Sequence, residues 1–434
     1  MQIILALTIS IIAITLTISS KDKKMLLAYL IVFYCAFIWN FTNILQVLIF
    51  PDLSRTTRIL LCNPFLLSIS ILGIAALLRH NDRILYTKNK IIVLMSILLL
   101  IMFTALLFIK YRPSSFEYYL TNGFVPMIVF IGLATDSYSE MEIHNIKKIC
   151  VILAQVLSVF AIFEFLVQYN PIMEMISSFY PTEIYLKFKN SFPYRTFSLT
   201  AHPLNLALFQ LSVLGFYVSD ILRSKRISYR GLGLVVVSII LTFSRIALIN
   251  LFGIYIILMY VTGKRNMVRI IMSLFIVFGV FGYIFSDFIF ARFAEGGSSS
   301  LARVVALGVL FKIDWAVYAI GQGFSTQREE IWGLFKFATS IEIPWVIQIL
   351  EYGLVITSLY LFLLFSSIGK LIRYRKNNHF QIWFVLPFII VQISTFNGLV
   401  EPSFIALFLW FMVGLGIASL NHSQNVLTSE RERE

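Results

Sequence analysis

Apolar runs of about 15–20 residues recur along the whole chain, with most of the charge confined to the segments between them. The run at 91–109, IIVLMSILLLIMFTALLFI, contains no charged residue. Such runs fit helices cut to a hydrocarbon core of ~30 Å, where the backbone must satisfy its own hydrogen bonds. A membrane β-barrel would show alternating segments of ~10 residues instead, and these runs do not alternate. Only 13% of the chain is charged, and its mean hydropathy is +0.86; a soluble domain carries roughly 25% charged residues. The expected fold class is all-α, a polytopic integral membrane protein with about 13 transmembrane helices, 12–14 allowing for uncertain ends.

Spans are predicted near residues 2–19, 25–42, 59–78, 91–109, 121–135, 149–168, 201–219, 231–244, 246–262, 270–290, 343–369, 381–396 and 404–420. The net charge of +13 reflects topology rather than nucleic-acid binding, because Lys and Arg collect on the cytoplasmic side of membrane proteins. Threading the chain with KDKK at 21–24 inside puts 22 of the 35 Lys and Arg residues on that side. They lie in 21–24, 79–90, 136–148, 220–230, 263–269, 370–379 and the tail 421–434. The N-terminus is then outside, and the first apolar stretch is a retained span: no basic residue precedes it and no small-residue cleavage site follows. Cys35, Cys62 and Cys150 are scattered and odd in number, so they give no disulfide framework.

Residues 231–262 carry a single charge, Arg245. As one helix they would measure ~48 Å at 1.5 Å per residue, too long for an ordinary crossing. Both flanks, SDILRSKRISYR and GKRNMVR, are basic and belong to one side. Two short spans meeting at Ser244-Arg245 satisfy both facts. Residues 301–320 are apolar too, but Lys312 and Asp314 would fall near mid-membrane at a cost of several kcal/mol. An amphipathic helix on the outer surface is the better reading.

The single transmembrane domain, 1–434, then carries two long outer loops, 169–200 and 291–342. Long loops tend to hold function, so an active site is expected on the outer face. Arg245 at the end of an apolar run is costly unless partnered, which makes it a functional candidate. Arg195 and Arg303 lie in the two long loops. Guanidinium groups bind phosphate through planar, bidentate donors, and several converging would make a diphosphate site. His202 is a candidate general base, with a helix-start turn before Pro203 as the plainer alternative. Glu342 is a second base candidate; Glu351 suits pairing inside the bundle, and Glu401 is weaker still. Gly321-x-Gly323 reads as a turn, since the strand–turn–helix setting of a nucleotide fingerprint is missing. The outer loops show no HExxH, DxD-like carboxylate pair or Cys/His cluster, so neither a metal nor another cofactor is expected.

These features occur in an order that resembles a known family. RTFSLTAHPLNLALF leads into a span, LTFSRIALI re-enters the membrane at once, GQGFS closes the surface helix, and IPWVIQILEYGLV follows. The stretch 190–365 is similar to the O-antigen polymerase and ligase superfamily, with Thr-Phe-Ser-Arg its most specific element. The resemblance implies a polysaccharide polymerase, a metal-independent, inverting glycosyltransferase of the bacterial inner membrane with its active face in the periplasm. Its substrate would be an undecaprenyl-diphosphate-linked oligosaccharide, its surroundings membrane lipids, and a chain-length regulator protein a partner. Arg195, Arg245 and Arg303 would then hold the lipid diphosphate, with the base left open between Glu342 and His202. Ligases of the family show a His-Asn-like pair where this chain reads Ser340-Ile341-Glu342-Ile343-Pro344, which favours polymerase. An O-antigen ligase and a lipid-linked glycan flippase are the alternatives. A transporter would show repeated halves and midplane charges, and neither is evident here.

Overall fold

A computed structural model describes residues 2–20, 22–38, 63–79, 89–112, 114–174, 194–200, 202–222, 228–262, 308, 315–324, 343–375, 385–394 and 403–431. Every regular element among them is helical. Six helices are long and apolar enough to cross a membrane, and three shorter apolar helices accompany them. That is consistent with a helical membrane protein, while the described residues do not establish the expected number of spans. The predicted span 270–290 lies outside them, as do Arg303, Glu342 and Glu401.

In chain order the helices are α1 (Gln2–Ser19), α2 (Lys23–Phe33), α3 (Pro64–Arg79), α4 (Lys90–Ile109), α5 (Ser115–Thr135) and α6 (Glu140–Val167). They continue as α7 (Pro203–Leu222), α8 (Tyr229–Leu241), α9 (Arg245–Thr262), α10 (Trp315–Ile320), α11 (Pro344–Arg373), α12 (Leu386–Ile393) and α13 (Ile405–Arg431). Two of them expose apolar stripes at helical spacing: Ile91, Leu94, Leu98, Ile101 and Phe108 on α4, and Ile152, Val156, Val159, Phe163 and Leu166 on α6. Facing water, such stripes would be an aggregation surface; facing lipid, they are what a span requires.

The chain forms two compact units. Unit one comprises 1–149, 302–383 and 396–434. Its centre is α5, in which every residue from Val125 to Thr135 is buried, packed against α3, α4 and α13. Trp410 of α13 lies 4.7 Å from the Phe130 ring, centroid to centroid, and donates its indole N–H to the Tyr360 hydroxyl at 2.9 Å. The predicted span 121–135 starts earlier than expected, at Ser115, because a π turn over Tyr119–Phe124 carries the helix through Asn122-Gly123.

At one end of unit one the connectors assigned to the cytoplasm come together. The Lys24 ammonium pairs with Glu142 at 3.0 Å, donates to the Ser137 carbonyl and sits 4.1 Å above the Tyr138 ring. Lys370 donates to Asn89, whose amide donates to Asn421 at 2.7 Å. Asn421 in turn donates to the carbonyls of Ala134 and Asp136. Described residues from five of those connectors, among them Lys24, Asn89, Asp136, Lys370 and Asn421, thus lie at one end of the unit.

Away from that cluster, α11 is interrupted at Gly353, which has φ +79°. An interruption frees carbonyls that need donors. The Gln322 and Gly323 N–H groups donate to the Leu350 and Glu351 carbonyls at 2.9 and 2.8 Å. Gly321, at φ +79°, approaches so closely that a Cβ there would lie 2.4 Å from the Glu351 carbonyl oxygen. Gly321-x-Gly323 is therefore more than the turn expected from sequence: it docks main chain to main chain in a broken helix. Phe103, Tyr119, Phe324 and Tyr352 pack around the junction with ring centroids 5.1–5.8 Å apart.

Candidate functional site

Unit two comprises 150–301 and 384–395. Its described core is α7, which packs against α8, α9 and α12. Gln210 of α7 donates to the Ala154 carbonyl and the Ser158 hydroxyl, at 3.0 and 3.1 Å, and Asn250 of α9 donates to the Phe388 carbonyl at 3.0 Å.

The overlong apolar run forms the expected helical pair. α8 ends at Leu241, Thr242-Phe243-Ser244 turn, and α9 begins at Arg245. With 13 residues, α8 is ~20 Å long, short of a full hydrocarbon crossing. The turn is built from its own side chains. Ser244 N–H donates to the Thr242 hydroxyl, and Ala247 N–H donates to the Ser244 hydroxyl, both at 3.3 Å. Ser244 thereby caps α9 and leaves Arg245, half-buried, as its first helical residue. The N-terminus of a helix attracts anions through its outward N–H groups and its dipole.

The end of loop one lies on this turn. Thr196 N–H donates to the Leu241 carbonyl at 3.2 Å, and Arg195 Nε donates to the Thr242 carbonyl at 3.1 Å. Arg195 is only 8% exposed. Its guanidinium is thus fixed to the backbone three residues before Arg245, so the structure brings two of the three predicted arginines to one turn.

The other side of the segment is held by Glu164, which was not among the predicted site residues. Glu164 lies near the end of α6 and is fully buried. Its Oε1 accepts from the Tyr194 hydroxyl at 2.9 Å and the Phe197 N–H at 3.3 Å, and its Oε2 accepts from the Ser198 N–H at 2.7 Å. Asn170 donates to the Ser198 carbonyl at 2.9 Å. The sequence signal was there: a carboxylate inside the apolar run VFAIFEFLV needs a dedicated set of partners.

Among the described residues, the non-glycine positions with positive φ are Gln168 (55°), Ser198 (51°) and Phe243 (47°). One follows α6, one lies in the held segment, and one is in the helical turn. Each such conformation costs about 1–3 kcal/mol, and such strain collects at functional sites.

His202 stands at the start of α7, where its Nδ1 accepts the Leu204 N–H at 3.2 Å. That is the helix-start role, and it competes with general-base chemistry. While Nδ1 accepts, the neutral ring carries its proton on Nε2 and presents a donor there. Glu351 is fully buried in α11 of unit one.

No family model, curated protein or solved structure matches the chain.

Proposed function

We propose that this chain is a membrane-embedded polysaccharide polymerase that transfers a growing glycan from undecaprenyl diphosphate to an incoming lipid-linked repeat unit. The observation that carries this reading is the anchoring of Arg195 on the turn that starts α9 with Arg245. Two guanidinium groups beside a helix N-terminus suit an anion of high charge density. The motif order of the superfamily supplies the glycan part of the reading, and Arg303 is its third proposed arginine.

In the reaction a hydroxyl of the incoming repeat attacks the anomeric carbon of the growing chain. The new glycosidic bond forms as the bond from that carbon to the diphosphate oxygen breaks, with inversion. Undecaprenyl diphosphate leaves, and the arginines stabilise the charge that develops on it. The hydroxyl proton passes to a base, Glu342 or His202; His202 serves only if it releases the Leu204 amide. Neither a metal nor another cofactor is invoked. The proposed setting is the bacterial inner membrane with the reacting end in the periplasm.

Arg245→Ala in cells tests the reading. Long polysaccharide is expected to disappear while single repeats still reach the surface. Polymer retained on its lipid carrier would indicate a ligase, and repeats stranded on the cytoplasmic face a flippase. An unchanged chain-length distribution would reject the diphosphate site.

A further inference from the structure

We infer that Glu164 is the positioning residue of this site and acts through Arg195; the inference rests on the proposed binding of the lipid diphosphate by Arg195. Three hydrogen bonds reach the Glu164 carboxylate from one five-residue segment, Tyr194–Ser198, and the Asn170 side chain adds a further one. The opposite side of that segment is fixed by Thr196 N–H on Leu241 and by Arg195 Nε on Thr242. Arg195 is therefore held between two clamps, one from α6 and one from the α8–α9 turn. Its own bond to Thr242 sets the guanidinium plane.

The chemistry selects a carboxylate. Two of the donors from this segment reach Oε1 and one reaches Oε2, and a carboxylate meets them with acceptors on both oxygens. Glutamine would turn an amide N–H₂ toward at least one of those donors. The positive φ of Ser198 shows that the segment does not adopt this shape on local preference alone. A purely apolar residue at 164 would leave the Phe197 and Ser198 N–H groups without this acceptor. Glu164 touches no substrate in this account; it fixes the main chain that carries Arg195.

The test uses full-length protein in lipid nanodiscs with undecaprenyl diphosphate as the probe. Affinities are compared for wild type, Glu164→Gln, Arg195→Ala and the double variant. Glu164→Gln is expected to weaken binding about tenfold, on the scale of one lost charge-assisted hydrogen bond. In the Arg195→Ala background it is expected to add no further loss, because the two act as one unit. Unchanged affinity in Glu164→Gln, or losses that add in the double variant, overturn the inference. Tyr194→Phe removes one donor and leaves the carboxylate in place; a few-fold loss is expected even if Glu164→Gln fails to fold, and no loss counts against the clamp. Hydrogen exchange separates this inference from the functional reading. If wild type does not bind the lipid, the diphosphate site is rejected, and with it a role for Glu164 in binding. Faster exchange of the 194–200 amides in Glu164→Gln, the rest unchanged, still upholds Glu164 as the clamp of that segment. Unchanged exchange rejects the clamp as well.

Discussion

The α8–α9 turn of unit two and the glycine junction of unit one solve the same problem in opposite ways. Both end helical structure inside an apolar protein, and both must satisfy freed main-chain groups. At the junction, backbone meets backbone: Gln322 and Gly323 donate to Leu350 and Glu351, three glycines adopt positive φ, and aromatic rings seal the surroundings. At the α8–α9 turn, side chains do the work: Thr242 and Ser244 bridge the turn, Arg195 donates into it, and Glu164 holds the segment that brings Arg195 there. Strain also falls on different residues. The junction puts positive φ on glycines, where it costs little, whereas unit two puts it on Gln168, Ser198 and Phe243. Substitutions should therefore destroy the fold at the junction and the activity at the turn.

The largest effect on stability is expected for Gly321→Ala. A Cβ there would lie 2.4 Å from main-chain atoms that cannot move independently, so more than about 2 kcal/mol should be lost. Thermal unfolding of the purified protein checks this; an unchanged midpoint would mean that the junction opens freely. Next comes Arg195→Lys, which keeps the charge and loses the planar fork. It should lower chain elongation by about tenfold or more with little change in the unfolding midpoint. A fall in stability as large as that of Gly321→Ala would erase the contrast between the two regions.

A milder effect is expected inside unit one, where Trp410→Phe removes the indole donor to Tyr360 and keeps the ring stacked near Phe130. The expected loss is about 1 kcal/mol, without an effect on elongation. The smallest effect concerns Glu142. Burial pushes its carboxyl up, but the Ser139 N–H and hydroxyl and the Lys24 ammonium outweigh it and hold the group below its ordinary value. The resulting stabilisation is present above the unfolded-state value and is lost as pH falls through the folded one. Acidification from about pH 7 to about pH 3 should therefore destabilise wild type slightly more than Glu142→Gln. Parallel curves would show that the ionised Glu142 carboxylate contributes nothing.

What was legible in the sequence was local or topological. The 231–262 run was too long for one span and carried basic flanks, so its division at Ser244-Arg245 followed from bilayer thickness and charge. The same bookkeeping assigned the connectors of Lys24, Asn89 and Lys370 to one side, but which of their side chains would meet was not visible in it. The Glu164 clamp was not legible, because its donors lie 30 to 34 residues away and apolar periodicity says nothing about which loop returns to which helix. Gly353 pairs with a segment about thirty residues earlier for the same reason. Gly321-x-Gly323 and Glu351-Tyr352-Gly353 were both visible as motifs; that one docks into the other depends on tertiary packing. The π turn at Asn122-Gly123 was hidden because an apolar run with one extra residue per turn keeps the composition of an ordinary span.

The central claim is that arginines at the α8–α9 turn hold a lipid diphosphate during glycan transfer. Its most direct test is purified full-length protein with a synthetic undecaprenyl-diphosphate-linked repeat unit, in the presence of a chelator, with product length read on a gel. The account predicts a ladder of polymer from wild type and unextended repeat from Arg245→Ala. A ladder of the same length from Arg245→Ala, or none from wild type, would contradict it.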